Sequence, residues 1–217
     1  MIHSETVTAD LLRIAQRLCE NRQLDMFRIV GGTAIALHLG HRKSGDIDFF
    51  TGEKVNKREL LLILRDMFPG TEFNITQHSI SAEIKGVRVE LFDEWHTPFL
   101  EKPVITDGLR LASLPDLAAL KLDVIIERRE KKDYIDLYVI FQTLGALRVL
   151  QQFKSYNPHV SEKSLLFALG EVEAARVNKS VMPHVLIDLH WATIEHAMIG
   201  AAREFIASKK RQQEKKA

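Results

Sequence analysis

Hydrophobic and polar positions follow two different periods along the chain, and the change of period falls near residue 112. Before that point, short runs that alternate every second residue are mixed with amphipathic helical stretches, which predicts both strands and helices. After it, apolar positions recur at three- and four-residue spacing, which predicts helices only. The pattern therefore predicts two domains, residues 1–112 with mixed α and β structure and residues 113–217 with α structure alone.

The first region is predicted to contain helices and a set of short strands. Apolar positions at helical spacing predict a helix over residues 5–22, and Asn56 followed by Glu59 is a capping box that begins another. A short apolar helix ends at Gly40. Residues 95–112 show no clear period and are predicted to form an extended connection. The predicted strands are 27–30, 46–50, 71–77, 79–85 and 87–92.

The second region begins with residues that favour a helix start. Ser113 is a cap hydroxyl and Pro115 suits the first helical turn. The charged tail, residues 209–217, is predicted to fray. The predicted helices are 114–130, 132–144, 146–154, 161–178 and 184–209.

Composition limits the class of protein. A chain of 217 residues with 46% hydrophobic content can bury a core, and its formal net charge of +1 excludes a broadly basic nucleic-acid wrapper. Cys19 is the single cysteine, so an internal disulfide is excluded and a reducing compartment is favoured. The sequence shows neither an apolar run of transmembrane length nor a signal-peptide layout. We therefore expect a cytoplasmic protein that has no membrane partner.

The candidate phosphate-binding and metal-binding residues are concentrated in the stretch from Gly31 to Phe50. Gly31 and Gly32 fall between a strand and a helix, where backbone N–H groups and the helix dipole can bind phosphate. Asp46 and Asp48 lie on one side of the following strand, and two adjacent carboxylates repel unless a cation sits between them. Mg²⁺ is the usual oxygen-bound partner. The stretch predicts metal-dependent chemistry on a nucleotide.

Glu90 is a candidate third metal carboxylate. It lies on the polar side of the strand predicted over residues 87–92. The alternative is an ordinary glutamate that an alternating strand exposes to solvent. Both interpretations remain open.

A second cluster of charged residues lies on the predicted helices after residue 113. Lys121 sits within an apolar stripe, so it either extends outward along its stem or points at an anion in a cleft. Asp133 and Asp136 fall on an apolar helix face and need partners, for which Arg129 and Lys132 are available. The cluster is either a buried ion-pair network between two helices or, for Asp133, a base or phosphate-positioning group. For Asp136 the structural role is favoured.

Other catalytic patterns are missing from the sequence. The 9 histidines show no metal-ligand spacing, which argues against a zinc site. Gly-x-Ser-x-Gly, P-loop and dinucleotide-binding glycine patterns do not occur, so hydrolase, P-loop and Rossmann interpretations lack support.

Three motifs together resemble a known family. Residues 31–48, with Gly-Gly-Thr followed by Arg-x-Ser-x-Asp-Ile-Asp, resemble the first motif of the DNA polymerase β-type nucleotidyltransferase superfamily. Residues 114–122 and 129–138, which carry Lys121 and the Lys132-Asp133 pair, are similar to the AbiEii/AbiGii toxin branch. The resemblance covers about residues 25–140. It implies an α+β fold, in which a small mixed β-sheet nucleotidyltransferase core flanked by helices is followed by an all-α helical bundle.

The resemblance also implies roles for individual residues. Asp46 and Asp48 would bind Mg²⁺ or Mn²⁺, with Glu90 the weaker third candidate because aspartate is commoner at that position. Lys121 would contact phosphate, and Asp133 would be the later acid of the branch. Residues implied to bind the nucleotide are Gly31, Gly32, Thr33, Arg42, Ser44, Lys121, Arg129 and Lys132. The active site is then expected in a cleft between the two regions.

The implied reaction is attack of an acceptor hydroxyl on the α-phosphorus of an NTP, with release of pyrophosphate. Members of the branch resemble toxins of toxin–antitoxin or abortive-infection systems, which implies a cognate antitoxin, and some transfer nucleotides to tRNA ends. The alternative is a nucleotide-binding module of the same fold that has lost transfer. A tRNA acceptor would need a basic surface, for which the candidates are Arg42, Lys43, residues 128–132, Lys209, Lys210 and Arg211.

Overall fold

The computed structural model describes residues 1–93 and 98–214 of the chain. They fall into two compact units, Met1–Leu117 and Ala118–Ala217. The described residues of the first unit form a mixed sheet with helices, whereas those of the second form helices and their connections. This confirms the predicted fold class. None of the helices within the described residues is both long enough and apolar enough to cross a membrane.

The first unit is built on a sheet that has seven strands within the described residues. The strands are β1 (Arg28–Val30), β2 (Asp46–Phe50), β3 (Phe73–Ile75), β4 (Ser79–Ile84), β5 (Val87–Phe92), β6 (Val104–Thr106) and β7 (Leu109–Leu111). Their order in the sheet is β3-β4-β5-β2-β1-β7-β6, so β2 lies in the middle. β2 pairs antiparallel with β1 and parallel with β5.

Two helices of this unit begin where the sequence predicts, whereas the first begins at residue 9 rather than residue 5. Thr8 caps α1 (Ala9–Glu20) by accepting the N–H of Leu11 at 3.2 Å. Asn56 caps α3 (Lys57–Met67), and its amide also donates to the Glu59 carboxylate at 2.9 Å. Between them, α2 (Gly31–Leu39) follows β1 directly and ends at Gly40, whose φ of +68° is the left-handed conformation that glycine adopts most readily.

Alternation along the central strands separates an apolar face from a polar one. Ile47 and Phe49 on β2 are buried, as are Val89 and Leu91 on β5. The intervening side chains therefore project from the opposite face of the sheet. That face carries the carboxylates predicted to bind metal.

The sequence prediction was wrong about residues 98–112, which contain the hairpin β6–β7 rather than an extended connection. Asp107 and Gly108 form its turn, with φ values of +50° and +76°. β7 continues the sheet by pairing in parallel with β1. Three-residue strands are too short to show a period, although the Asp-Gly pair is a hairpin signal. The rest of the predicted connection, residues 95–97, lies outside the described residues.

Arg110 on β7 fastens the sheet to the end of α1. Its guanidinium donates to the carbonyl groups of Phe27 at 2.7 Å, Leu24 at 2.8 Å and Cys19 at 3.2 Å. A planar group with several donors can satisfy carbonyls that a helix end leaves unpaired. Arg110 thus acts on these carbonyl groups as a helix C-cap residue would.

The second unit packs its helices around the last one. The helices are α4 (Leu114–Glu127), which begins in the first unit, α5 (Lys131–Leu144), α6 (Ala146–Tyr156), α7 (Glu162–Gly170), α8 (Val172–Val177) and α9 (Trp191–Glu214). α9 contacts α5, α6, α7 and α8. Tyr134, Phe153 and Phe205 are buried in this core.

Several helix boundaries of the second unit differ from the sequence prediction. The helix predicted over 161–178 is divided at Glu171, and the last helix begins at Trp191 rather than at residue 184. Lys131 donates to the carbonyl groups of Asn178 and Ser180 in the segment between these helices. The charged tail continues α9 as far as Glu214 rather than fraying at 209, because lysine, arginine, glutamine and glutamate are good helix formers. Residues 215–217 lie outside the described part of the chain.

Candidate active site

The turn from β1 into α2 brings backbone close to a carboxylate. Gly31 has a φ of +67°, and a Cβ at this position would lie 2.9 Å from Oδ2 of Asp48. Val30 precedes the helix and offers no side-chain cap. First-turn N–H groups that the cap residue does not satisfy can bind an anion. The predicted phosphate cradle of Gly31 and Gly32 is thus next to one of the predicted metal carboxylates.

Thr33 connects this helix to the carboxylate strand. Its hydroxyl lies 2.8 Å from Oγ of Ser44 and also hydrogen-bonds to the carbonyl of Asp46. The Ser44 N–H donates to the Thr6 carbonyl at 2.9 Å. Thr33 itself is buried. Its contacts are those of a side chain that positions Ser44 and Asp46.

The two basic residues of the turn before β2 differ in their surroundings. Arg42 is buried and donates to the Lys43 carbonyl at 2.9 Å. Lys43 is exposed and donates to the carbonyl of Glu5. The expectation that Arg42 contributes to a basic surface is wrong, because its guanidinium lies inside the fold and shapes the turn.

The carboxylates lie side by side on the polar face of the sheet. Strand register places Asp48 beside Glu90 and Asp46 beside Arg88. Both Glu90 oxygens have partners, since Ser79 Oγ donates to Oε1 at 2.8 Å and Arg88 donates to Oε2 at 2.7 Å. The hydrogen bond and charge of Glu90, followed by the charges of Asp46 and Asp48, raise the pKa of the Arg88 guanidinium above its ordinary value.

A divalent cation can bind this face of the sheet only if the face offers suitable metal-binding donor atoms. Asp46 and Asp48 offer carboxylate oxygens, the ligands that Mg²⁺ and Mn²⁺ prefer. The space that a Cβ at Gly31 would fill lies directly beside Asp48. Within residues 1–93 and 98–214, no three histidine, cysteine or acidic side chains are grouped as a metal site, and Glu90 is held by Ser79 and Arg88. The donor chemistry of the two aspartates therefore fits a divalent cation.

A buried ion-pair network lies in the second unit. Lys121 on α4 has its ammonium 3.0 Å from Oδ1 of Asp133 and 2.9 Å from Oδ2 of Asp136. Arg128 adds a contact of 3.4 Å between its Nε and Oδ2 of Asp133. The lysine side chain is 6% exposed, and both aspartates are fully buried. The network joins α4 to α5, as one interpretation of the sequence expected.

The partners of these acids differ from the sequence expectation. Lys132 pairs with Glu130 at 3.1 Å, and Arg129 lies over the ring of Phe167 at 5.3 Å. Adjacent residues on a helix point in different directions, so Lys132 is poorly placed for Asp133. Arg129 precedes the first turn of α5. The buried partner is Lys121, twelve residues before Asp133 in the chain.

Other residues proposed for a basic surface also have intramolecular partners. Lys131 donates to the carbonyls of Asn178 at 2.6 Å and Ser180 at 2.7 Å. Lys209 pairs with Glu162 at 2.6 Å. These contacts reduce the charge that the predicted surface can offer to a polyanion.

Comparison with known proteins identifies the family. The family described as "Nucleotidyl transferase AbiEii toxin, Type IV TA system" matches residues 13–205. The chain belongs to the AbiEii family. The protein aq_aa25 of Aquifex aeolicus (strain VF5) is 31% identical over 191 residues, which cover 83% of this chain and 88% of that protein. The resemblance seen in the motifs is thereby confirmed.

Two solved structures are similar to this AbiEii-family chain in fold. A Helicobacter pylori protein described as a candidate nucleotidyltransferase is 16% identical, covers 94% of this chain and 95% of its own, and has a TM-score of 0.56. ANT(2″)-Ia, solved with adenylyl-2″-tobramycin, is 18% identical, covers 71% and 100%, and has a TM-score of 0.53. At these identities the similarity establishes the nucleotidyltransferase fold.

Sequence reasoning missed Ser79 and Arg88. Arg88 stands two residues before Glu90, so alternation alone places both on one face. Ser79 reaches Glu90 through the pairing of β4 with β5, in which it lies opposite Phe92. That register depends on the turn at Gly86, and alternation within a single strand does not specify it.

Proposed function

We propose that this AbiEii-family protein is the toxin of a toxin–antitoxin pair and a Mg²⁺- or Mn²⁺-dependent enzyme that transfers an NMP from an NTP to an acceptor hydroxyl. The observation that carries the proposal is the approach of the Asp48 carboxylate to Gly31 at the start of α2. A metal-binding acid and a phosphate-binding helix start lie together there. Metal-bridged phosphoryl transfer requires that combination.

In this proposal six residues of the first unit have a stated role in binding the metal ion or the nucleotide. Asp46 and Asp48 hold the divalent cation, which when bound neutralises charge on the triphosphate. Backbone N–H groups of Gly31 and Gly32 bind phosphate oxygens, and the Ser44 hydroxyl adds a donor. Thr33 fixes the distance between that hydroxyl and the strand of Asp46. Positioning and charge stabilisation, rather than covalent catalysis, would supply the rate.

Lys121 and Asp133 are proposed to contribute to activity as well. Their contact at 3.0 Å holds the lysine ammonium in one position. Because the lysine is also shared with Asp136, its proposed role is to hold the Asp133 carboxylate in place. Arg129 and Lys132 are proposed only as neighbours that add positive charge. The Lys121→Met variant should lose transfer activity, whereas Lys132→Met should keep most of it.

The first experiment incubates the full chain with each labelled NTP, Mg²⁺ or Mn²⁺ and total tRNA or protein. Label should appear on a macromolecule with at least one NTP. The Asp46→Asn and Asp48→Asn variants should abolish transfer, since they keep side-chain shape and remove the charges that hold the ion. Asp66→Asn, at an exposed aspartate of the same unit, is the matched control and should transfer normally. Folded protein that labels nothing would refute the proposal.

The 3′ end of tRNA is the proposed acceptor. Periodate oxidation destroys the terminal ribose diol, so oxidised tRNA should accept no label. Label on oxidised tRNA, or on protein alone, would contradict this acceptor while leaving nucleotide transfer intact. Expression of the full chain should slow the growth of a bacterial host, whereas expression of the Asp46→Asn variant should not.

A second candidate function is nucleotide binding without transfer. The observation in its favour is that Ser79 and Arg88 hold both oxygens of Glu90, the candidate third metal ligand. Calorimetry with an NTP and a pyrophosphate assay separate the two candidates. Binding with no pyrophosphate released, for every NTP and acceptor offered, favours the second.

A further inference from the structure

Arg88 is a positive charge placed among carboxylates that are proposed to bind metal. Its guanidinium donates to Glu90 at 2.7 Å, and strand register sets it beside Asp46. Glu90 in turn lies beside Asp48. One arginine therefore faces the acids that a divalent cation would also attract.

The two partners of this ion pair differ in exposure. The Arg88 side chain is 66% exposed, whereas that of Glu90 is 12% exposed and is also held by Ser79 at 2.8 Å. Because the arginine end of the pair is exposed, water can replace Glu90 as the partner of the guanidinium. The arginine can therefore leave Glu90 at low cost, while the glutamate stays in place.

A second carboxylate lies near Arg88 on the same sheet face. Arg88 pairs in register with Glu83 on β4. Both side chains line a depression of about 460 Å³, together with Glu72, Asn74 and Ser81. The two glutamates there carry negative charge, so an arginine displaced from Glu90 still has a carboxylate within its own neighbourhood.

We propose that Arg88 is a built-in counter-cation, which neutralises the face formed by Asp46, Asp48 and Glu90 and is displaced from Glu90 towards Glu83 when a divalent cation binds. The inference rests on the proposed function, because it takes Asp46 and Asp48 as the metal ligands. Its physical basis is that two cations near the same carboxylates repel each other. Arg88 thus lowers metal affinity and sets the concentration at which the face accepts an ion.

The inference predicts that removal of the charge tightens metal binding. Arg88→Gln should bind Mn²⁺ about three- to tenfold more tightly at low ionic strength, and salt should reduce the difference. Arg88→Lys keeps the charge and should stay close to wild type. A purely structural role for the arginine predicts the opposite sign, since loss of a residue that orients Glu90 would weaken the site.

The measurement is a titration of the full chain with Mn²⁺, with free ion quantified by electron paramagnetic resonance. Arg13→Gln is the matched control, because Arg13 is also 66% exposed, pairs with Asp10 at 2.8 Å and lies on α1. It should leave the affinity unchanged. Circular dichroism melting of each variant without metal verifies that the fold is retained.

The outcomes separate this inference from the proposed function. Wild-type binding that is lost in Asp46→Asn and Asp48→Asn, together with tighter binding by Arg88→Gln alone, supports both. If wild type binds but Arg88→Gln binds equally or less tightly, or Arg88→Lys gains as much as Arg88→Gln, only the role of Arg88 is overturned. If wild type binds no Mn²⁺, or the aspartate variants still bind it, the metal site and the inference fail together.

Discussion

Substitution of Gly31 by alanine tests the close approach on which the candidate site depends. The glycine has a φ of +67°, and an added Cβ would lie 2.9 Å from Oδ2 of Asp48. Ordinary contacts begin near 3.4 Å, so the carboxylate would have to move by about half an ångström. Gly31→Ala therefore perturbs both the backbone and a proposed metal ligand.

The two effects have different magnitudes. A left-handed alanine costs about 1–2 kcal/mol of folding free energy. Displacement of Asp48 adds a modest amount, because the carboxylate is half-buried and can shift. Transfer activity should fall much further, roughly 10- to 100-fold, since small misplacements of a catalytic group are costly. The expected signature is a mild loss of stability together with a large loss of activity and of Mn²⁺ affinity.

Gly70→Ala provides the control for this experiment. Gly70 has a φ of +80°, and among the described residues nothing would lie within 4 Å of its added Cβ. It should lose a similar amount, about 1–2 kcal/mol, in urea unfolding and keep its activity. If Gly31→Ala keeps wild-type transfer and Mn²⁺ affinity, or if Gly70→Ala loses as much activity, the argument from close approach is wrong.

Three further predictions concern stability. Lys121→Met should cost about 3–5 kcal/mol in urea unfolding, because it leaves Asp133 and Asp136 buried without their shared cation; a loss under about 1 kcal/mol would contradict the network. Burial, and then the charge of a neighbouring glutamate, raise the pKa of Asp123 from 3.8 to about 6. Because burial favours the neutral carboxyl, the stability that protonated Asp123 contributes is present below pH 3.8 and is lost as pH rises through 6. Asp123→Asn should therefore be more stable than wild type by about 2 kcal/mol at about pH 7.5. The two proteins should be equally stable at about pH 3.5. Arg110→Ala should lower the melting temperature and cost about 3 kcal/mol, since three carbonyl groups lose a charged donor, whereas Arg110→Lys should recover only part of this.

Local patterns predict the parts of the site that depend on neighbouring residues. Alternation places Asp46 and Asp48 on one strand face, and the Gly31–Gly32 pair marks the start of a helix. Asn56 is correctly predicted as a cap, and its side chain accepts the N–H of Arg58. These features involve separations of a few residues, over which backbone geometry is set by sequence alone.

Features that depend on distant residues cannot be predicted in the same way. The position of Glu90 beside Asp48 requires the parallel pairing of β2 with β5. Lys121 stands out within its apolar stripe, yet proximity in sequence favours Arg129 and Lys132 as the partners of the buried acids. The actual contacts depend on how α4 packs against α5, which periodicity does not specify.

The central position of β2 in the sheet has a consequence for how the first unit unfolds. Its amides lie between β1 and β5, and Ile47 and Phe49 are buried, whereas β3 and β6 are the outer strands. Amide protons of β2 should therefore exchange with solvent only when the whole sheet unfolds, while those of the outer strands exchange through local fraying. Asp46 and Asp48 therefore lie on the strand whose amide protons should exchange most slowly. Heating should consequently leave the geometry of the carboxylate pair intact until the first unit melts cooperatively.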